Sequence, residues 1–238
     1  MKNKNILVTG ASGGIGKIIC KVLKQSYNVF GTSRTEKALM ELNIKDYCVC
    51  DFDNEKDLNK ISDFVKDNNI NILINNAGEY VYETSDKLSL KNLEHIFYVN
   101  SIMPMFLSSL VIPQMKNQKW GRIVNVGSIS GVMGEACASA YSATKASLIG
   151  FTKAAALELA QDNITVNTIN PGWVETTLGE NSIEQSEFSK EEIIECVPQK
   201  RFVEPVEIAN LIKYLISDEA KGVTGQSINL CAGLSVGF

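Results

Sequence analysis

The sequence has one histidine, His95, and three arginines, Arg34, Arg122 and Arg201, in 238 residues. Its six cysteines, Cys20, Cys48, Cys50, Cys137, Cys196 and Cys231, form no C-x-x-C pair. A zinc-type ligand set therefore has no material to build on, and no metal is expected. Nor is there an excess of positive charge: 23 Lys and Arg face 27 Asp and Glu, a net charge of -4. That balance argues against nucleic acid as a partner. The first apolar run, Ile6 to Val8, is too short for a secretion signal. The longest, around Ile102 to Met115, is broken by serines and two prolines. It falls short of the ~20 residues a membrane helix needs, so no membrane is expected. Scattered cysteines without a signal suit a reducing, cytoplasmic setting. Linkers, internal repeats and low-complexity tracts are also missing.

What the chain does contain is strand and helix in alternation. Strands are expected at 5–9, 28–33, 46–50, 70–75, 121–127, 164–170 and 226–231, and helices at 15–25, 35–43, 54–68, 90–117, 140–161 and 205–217. Pro104 should bend or interrupt the long fourth helix. The strands read as continuous apolar runs, which means that both faces of a parallel sheet are covered. The expectation is one α/β domain over 1–238. It is a Rossmann-type, doubly wound parallel sheet of about seven strands with helices on both faces. The acidic, polar stretch 179–196 is the one excursion, and 178–200 is expected to form a lid over the substrate.

Two motifs carry chemistry. The run Thr9-Gly10-Ala11-Ser12-Gly13-Gly14-Ile15-Gly16 sits between the first strand and the first helix. A dinucleotide pyrophosphate needs backbone N–H groups at close range, and side chains would obstruct that approach. The helix N-terminus adds partial positive charge. In the second motif, Tyr141 and Lys145 are four apart and share a helix face. A phenol of pKa ~10 is a poor acid–base group at neutral pH. A nearby ammonium favours the phenolate and lowers that pKa. Such a tyrosine can then exchange a proton with a substrate oxygen. Ser128 follows the fifth strand, at the carboxyl end where ligands bind in open α/β sheets.

Together with Asn75-Asn76-Ala77-Gly78, Asn100, the run from Gly121 to Ser128 and Asn170-Pro171-Gly172-Trp173-Val174-Glu175-Thr176, these elements make the chain resemble the short-chain dehydrogenase/reductases. The resemblance covers essentially the whole chain. It is greatest towards 3-oxoacyl thioester reductases and polyketide ketoreductases. It implies that Tyr141 is the general acid, that Lys145 lowers its pKa and holds the nicotinamide ribose, and that Ser128 binds the substrate oxygen. Asn100 would hold a relay water. Gly10, Ser12, Gly14, Ile15 and Gly16 would cradle the pyrophosphate. Asn76, Ala77 and Gly78 would pack by the adenine ribose, with Asp51 and Phe52 near the adenine. Pro171, Gly172, Val174 and Thr176 would frame the carboxamide.

Arg34 bears on the cofactor. Enzymes that choose NAD close the second strand with an acidic residue on the ribose hydroxyls. Here Ser33 holds that place and Arg34 follows, offering a forked cationic donor set to a 2′-phosphate. NADP(H) is therefore expected, although Gly13 stands where many NADP(H) relatives carry a basic residue. The reaction implied is NADPH-dependent reduction of a carbonyl, with a 3-oxoacyl thioester first. The alternatives are a sugar, cyclic or other small alcohol or ketone, and a non-catalytic nucleotide-binding regulator. Lys119 would suit an acidic carrier protein at the site mouth, whereas Asp162 stands where such enzymes often have a cation. Assembly is expected as a homotetramer, or a dimer, through the helices near 90–117 and 140–161 and the last strand. Leu148, Phe151 and Ala155 are candidates for the seam.

Overall fold

The structure, a computed structural model, describes residues 4–185 and 188–236. Strands β1 (Asn5–Thr9), β2 (Asn28–Ser33), β3 (Asp46–Val49), β4 (Ile72–Asn75), β5 (Gly121–Val126), β6 (Ile164–Pro171) and β7 (Ser227–Leu230) form one sheet. Its order is β3-β2-β1-β4-β5-β6-β7, and every pairing is parallel. The helices are α1 (Gly14–Leu23), α2 (Glu36–Met40), α3 (Glu55–Asp67), α4 (Leu90–Phe97), α5 (Met103–Gln118), α6 (Ser130–Met133), α7 (Ser139–Leu159), α8 (Thr177–Gln185), α9 (Lys190–Cys196) and α10 (Pro205–Leu215).

The strand period of two sends neighbours to opposite faces. Ile6 and Val8 of β1 pack with Ile19 and Leu23 of α1 and Ile208 and Ile212 of α10. Leu7 between them packs with Ile61 of α3, Leu107 and Val111 of α5 and Leu159 of α7. All of these side chains are at most 2% exposed, and each such burial stabilises by roughly 1.5–3 kcal/mol. After β1 the chain builds β2 and β3 on one side; it then returns to place β4 on the other. A crevice opens between the carboxyl ends of β1 and β4, where such folds bind ligands. The Thr9 hydroxyl closes its floor by accepting from the Asn76 and Ala77 amides at 3.0 and 2.9 Å.

The long fourth helix departs from expectation. Its interruption is a π-helical turn at Tyr98–Ile102, ahead of Pro104 and not at it. Pro104 lies inside the continuous helical stretch and has no N–H for the Asn100 carbonyl four residues back, which falls within this turn. Such π turns mark functional positions, and this one contains Asn100. The helical stretch Leu90–Gln118 is also, against expectation, long and apolar enough to cross a membrane by length and composition. Half of its apolar window is buried inside the fold, so here it serves as a core helix. The region 178–200 holds two helices that periodicity did not reveal, α8 and α9. A Ser189–Glu192 capping box starts α9. Residues 186–187 of that expected lid lie outside the described residues.

Candidate active site

Two adjoining clefts open at the carboxyl ends of the strands, of about 310 and 240 Å³. The first is walled by Gly10, Ser12, Gly14 and Ile15 from the β1–α1 turn, and by Ser33 and Arg34 after β2. Asp51 and Phe52 after β3 and Asn76, Ala77 and Gly78 after β4 complete it. The turn works because it lacks side chains. Gly10 has φ +60°, and a Cβ there would stand 2.9 Å from the Ala77 Cα. A Cβ on Gly16 would meet the Gly10 carbonyl at 2.2 Å. Gly16 therefore lies beneath the turn and not on the cleft wall. Asn76 pins the turn from below, donating to the Thr9 and Gly10 carbonyls at 2.9 and 3.2 Å. No side chain caps the N-terminus of α1, whose first N–H groups remain open to an anion. Arg34 is largely exposed at the rim, with Nη1 3.1 Å from Glu79 Oε1. The Ser12 and Ser33 hydroxyls meet beside it at 2.5 Å. This donor set, open helix end, hydroxyls and guanidinium, fits a phosphorylated dinucleotide.

The second cleft is lined by Ser128, Tyr141 and Lys145, with Pro171, Gly172, Val174 and Thr176 along its border. Ser128 is placed by the end of β5, and Tyr141 and Lys145 by the first turns of α7. All three are at most 9% exposed. Burial pushes the Tyr141 phenol up to about 12, a hydrogen bond with Ser128 pulls it down, and the Glu135 charge raises it. Burial also lowers the Lys145 ammonium to about 8. Its Nζ donates to the Val126 carbonyl at 3.0 Å and stands 5.7 Å from the Tyr141 ring centroid. In the free protein burial is the largest influence on the Tyr141 phenol. Asn100 is fully buried behind this group. Its amide accepts from the Glu79 N–H and donates to the Glu79 carbonyl, both at 2.8 Å, and reaches the Thr144 hydroxyl at 3.3 Å. The side chain so fixes the loop that carries Gly78 past Lys145.

A family model described as short chain dehydrogenase matches residues 4–187. The chain belongs to the short-chain dehydrogenase family. It is 36% identical over 246 residues to the 3-oxoacyl-[acyl-carrier-protein] reductase FabG of Buchnera aphidicola subsp. Schizaphis graminum, covering 98% of each chain. It is 32% identical to nodulation protein G of Azospirillum brasilense, covering 99% of each. Among solved structures, a variant of actinorhodin polyketide ketoreductase with NADPH superposes with a TM-score of 0.91 at 32% identity, over 99% of this chain and 100% of that one. ElxO with NADP bound gives 0.87 at 29% identity, over 99% of each. As a member of this family the protein is an oxidoreductase.

In this short-chain dehydrogenase, two side-chain groups at the site escaped sequence reasoning. Glu79, directly after Gly78, holds Arg34 with one oxygen and His95 with the other, at 3.1 and 2.8 Å. Glu135, Ser130 and Tyr80 form a polar knot beside Ser128. Glu135 stands in no sequence motif that marks it as a site residue. Only the fold brings it back towards the cleft, by way of Gly134 at φ +78°. The structure also corrects Lys119 and Asp162. They flank the amino ends of β5 and β6, opposite the end that carries Ser128, and pair with each other at 2.5 Å. Lys119 is therefore neither at this chain's site mouth nor a free cation.

Proposed function

We propose that the protein reduces a carbonyl to an alcohol with NADPH, and that its substrate is a 3-oxoacyl thioester. The observation that carries this is the convergence of Ser128, Tyr141 and Lys145 beside the glycine cradle and Arg34. NADPH, when bound, supplies the hydride. The chain's own residues do the rest. Tyr141 gives its proton to the carbonyl oxygen, and its raised pKa keeps that proton in place at neutral pH. Ser128 hydrogen-bonds the same oxygen as charge develops there. Lys145 would hold the nicotinamide ribose, and Arg34 with Ser33 the adenosine 2′-phosphate. The Asn100 side chain is committed to Glu79, so a relay water would fall to its main-chain carbonyl. Residues 178–200 would close over the substrate as a lid, which makes 1–238 one cofactor-binding and catalytic unit. A nucleotide-binding regulator on this fold would have no use for the intact Ser128, Tyr141 and Lys145 constellation. The setting proposed is cytoplasmic.

The substrate reading is checked by following NADPH oxidation against 3-oxoacyl thioesters, cyclic ketones and keto-sugars. The thioesters should be turned over best. Because Lys119 lies at the far end of β5 from Ser128, it brings no cation to the site mouth, and the same 3-oxoacyl group on CoA should be used at least as well as on an acidic carrier protein. Charge complementarity mainly sets encounter rate. A carrier-protein preference in kcat/KM that fades with salt would overturn this.

We propose a homotetramer, with a dimer as the alternative. The seam needs revision, since Leu148 and Ala155 are buried in the chain's own core and Phe151 is half-buried. The outward face of α7 instead shows Ala143, Ala146, Gly150, Ala154 and Leu157, the last 83% exposed. Light scattering should report an assembly at micromolar concentration, weakened by Leu157→Glu. A monomer would refute it.

A further inference from the structure

We propose that Glu135 is a positioning residue for the reaction, fixing Ser128 through Ser130 and the Tyr141 ring through Tyr80. The Glu135 Oε2 accepts from the Ser130 hydroxyl at 2.5 Å, and Oε1 from the Tyr80 hydroxyl at 2.7 Å. Ser130 in turn holds the Ser128 oxygen through its N–H at 3.2 Å, and its hydroxyl accepts the Ser128 proton at 3.1 Å until a substrate oxygen takes that hydroxyl's place as acceptor. The Tyr80 ring packs edge-on against the Tyr141 ring, with centroids 4.9 Å apart. One carboxylate thus reaches the Ser128 hydroxyl through Ser130 and the Tyr141 ring through Tyr80, each through a single intermediary. Charge-assisted bonds of this kind are about twice as strong as neutral ones.

Joining the two loops does not require this carboxylate. The Glu83 amide donates to the Cys137 carbonyl, and a bridge pairs Glu83 with Ala138. The backbone alone therefore ties the loop after β4 to the segment before α7. What Glu135 adds is hydrogen-bond direction and charge. Around Tyr141, Lys145 comes from its own helix, and Ser128 and Glu135 from the segment after β5. Tyr80 comes from the loop before α4, and α4 itself presents the apolar Ile96 and Phe97. Glu135 is thus the anionic neighbour acting on Tyr141, and its charge raises the phenol pKa. The carbonyl-reducing direction needs that proton.

The inference rests on the oxidoreductase chemistry, with whichever carbonyl the panel identifies. In Glu135→Ala both charge-assisted bonds are lost, and kcat should fall about tenfold or more with KM little changed. Glu135→Gln keeps the shape and removes the charge. Reduction requires protonated Tyr141, so activity falls as pH rises through its pKa. That fall should begin at lower pH in Glu135→Gln, whereas in Glu135→Asp it should stay where it is in the wild type. A readout independent of turnover is the ring-carbon NMR titration of ¹³C-tyrosine-labelled protein, with Tyr141 assigned by Tyr141→Phe. Its onset should move down in Glu135→Gln. Wild-type kcat, an unmoved basic limb and an unmoved titration would overturn the role of Glu135 and leave the reductase reading standing. A wild-type protein inert on every carbonyl would sink that reading, and the NMR titration alone would then decide on Glu135.

Discussion

Tyr141→Phe should cut turnover by ~10² or more and leave NADPH affinity nearly unchanged. The substitution removes one oxygen and keeps the ring, which packs against Tyr80 and closes a small apolar cluster with Ile96, Ala138 and Ala140. Folding and the cofactor cleft should therefore survive. What is lost is the hydroxyl that lines the cleft beside Ser128 and Lys145, and with it the proton for the developing alkoxide. Water can replace it only poorly in a site where Tyr141 and Lys145 are 9% and 5% exposed. Stopped-flow reduction and fluorescence titration of NADPH separate the two effects. Near-wild-type turnover would remove Tyr141 from the mechanism.

Arg34→Ala should weaken NADPH by about 2 kcal/mol, roughly thirtyfold in Kd, and barely change NADH. The figure is that of one charge-assisted contact and not of a fully buried pair, because Arg34 is largely exposed and already paired with Glu79. A 2′-phosphate has to share or displace that carboxylate, which lowers the net gain. Gly13 leaves the glycine turn without a second cation, so the selectivity is expected to rest on Arg34 and the neighbouring hydroxyls. Titrations of both cofactors on both proteins give the answer. Equal losses would show that Arg34 does not read the phosphate.

Local sequence determined the elements that are strong on their own. Continuous apolar strands such as Ile72–Asn75 and the amphipathic spacing of Ile15, Ile19 and Leu23 carried the parallel sheet and its covering helices. The glycine turn and the Tyr141–Lys145 spacing are short-range patterns too, and their clefts lie where the strand ends put them. Sequence by itself also showed the absence of a carboxylate after β2, which is a matter of one residue's charge. Tertiary structure decided whatever depends on two distant segments meeting. The π turn that seats Asn100 sets its amide against the Glu79 backbone, and no helical periodicity encodes that partner. The Tyr141 pKa is set by burial, which spacing to Lys145 does not reveal. Glu79 on Arg34 and Glu135 on Ser130 and Tyr80 join residues 45 and 55 positions apart or lean on a left-handed glycine. The Lys119–Asp162 pair, 43 positions apart, forms because β5 and β6 lie side by side. A sequence records which groups are available; only the fold sets their distances, and charge and proton chemistry follow distance.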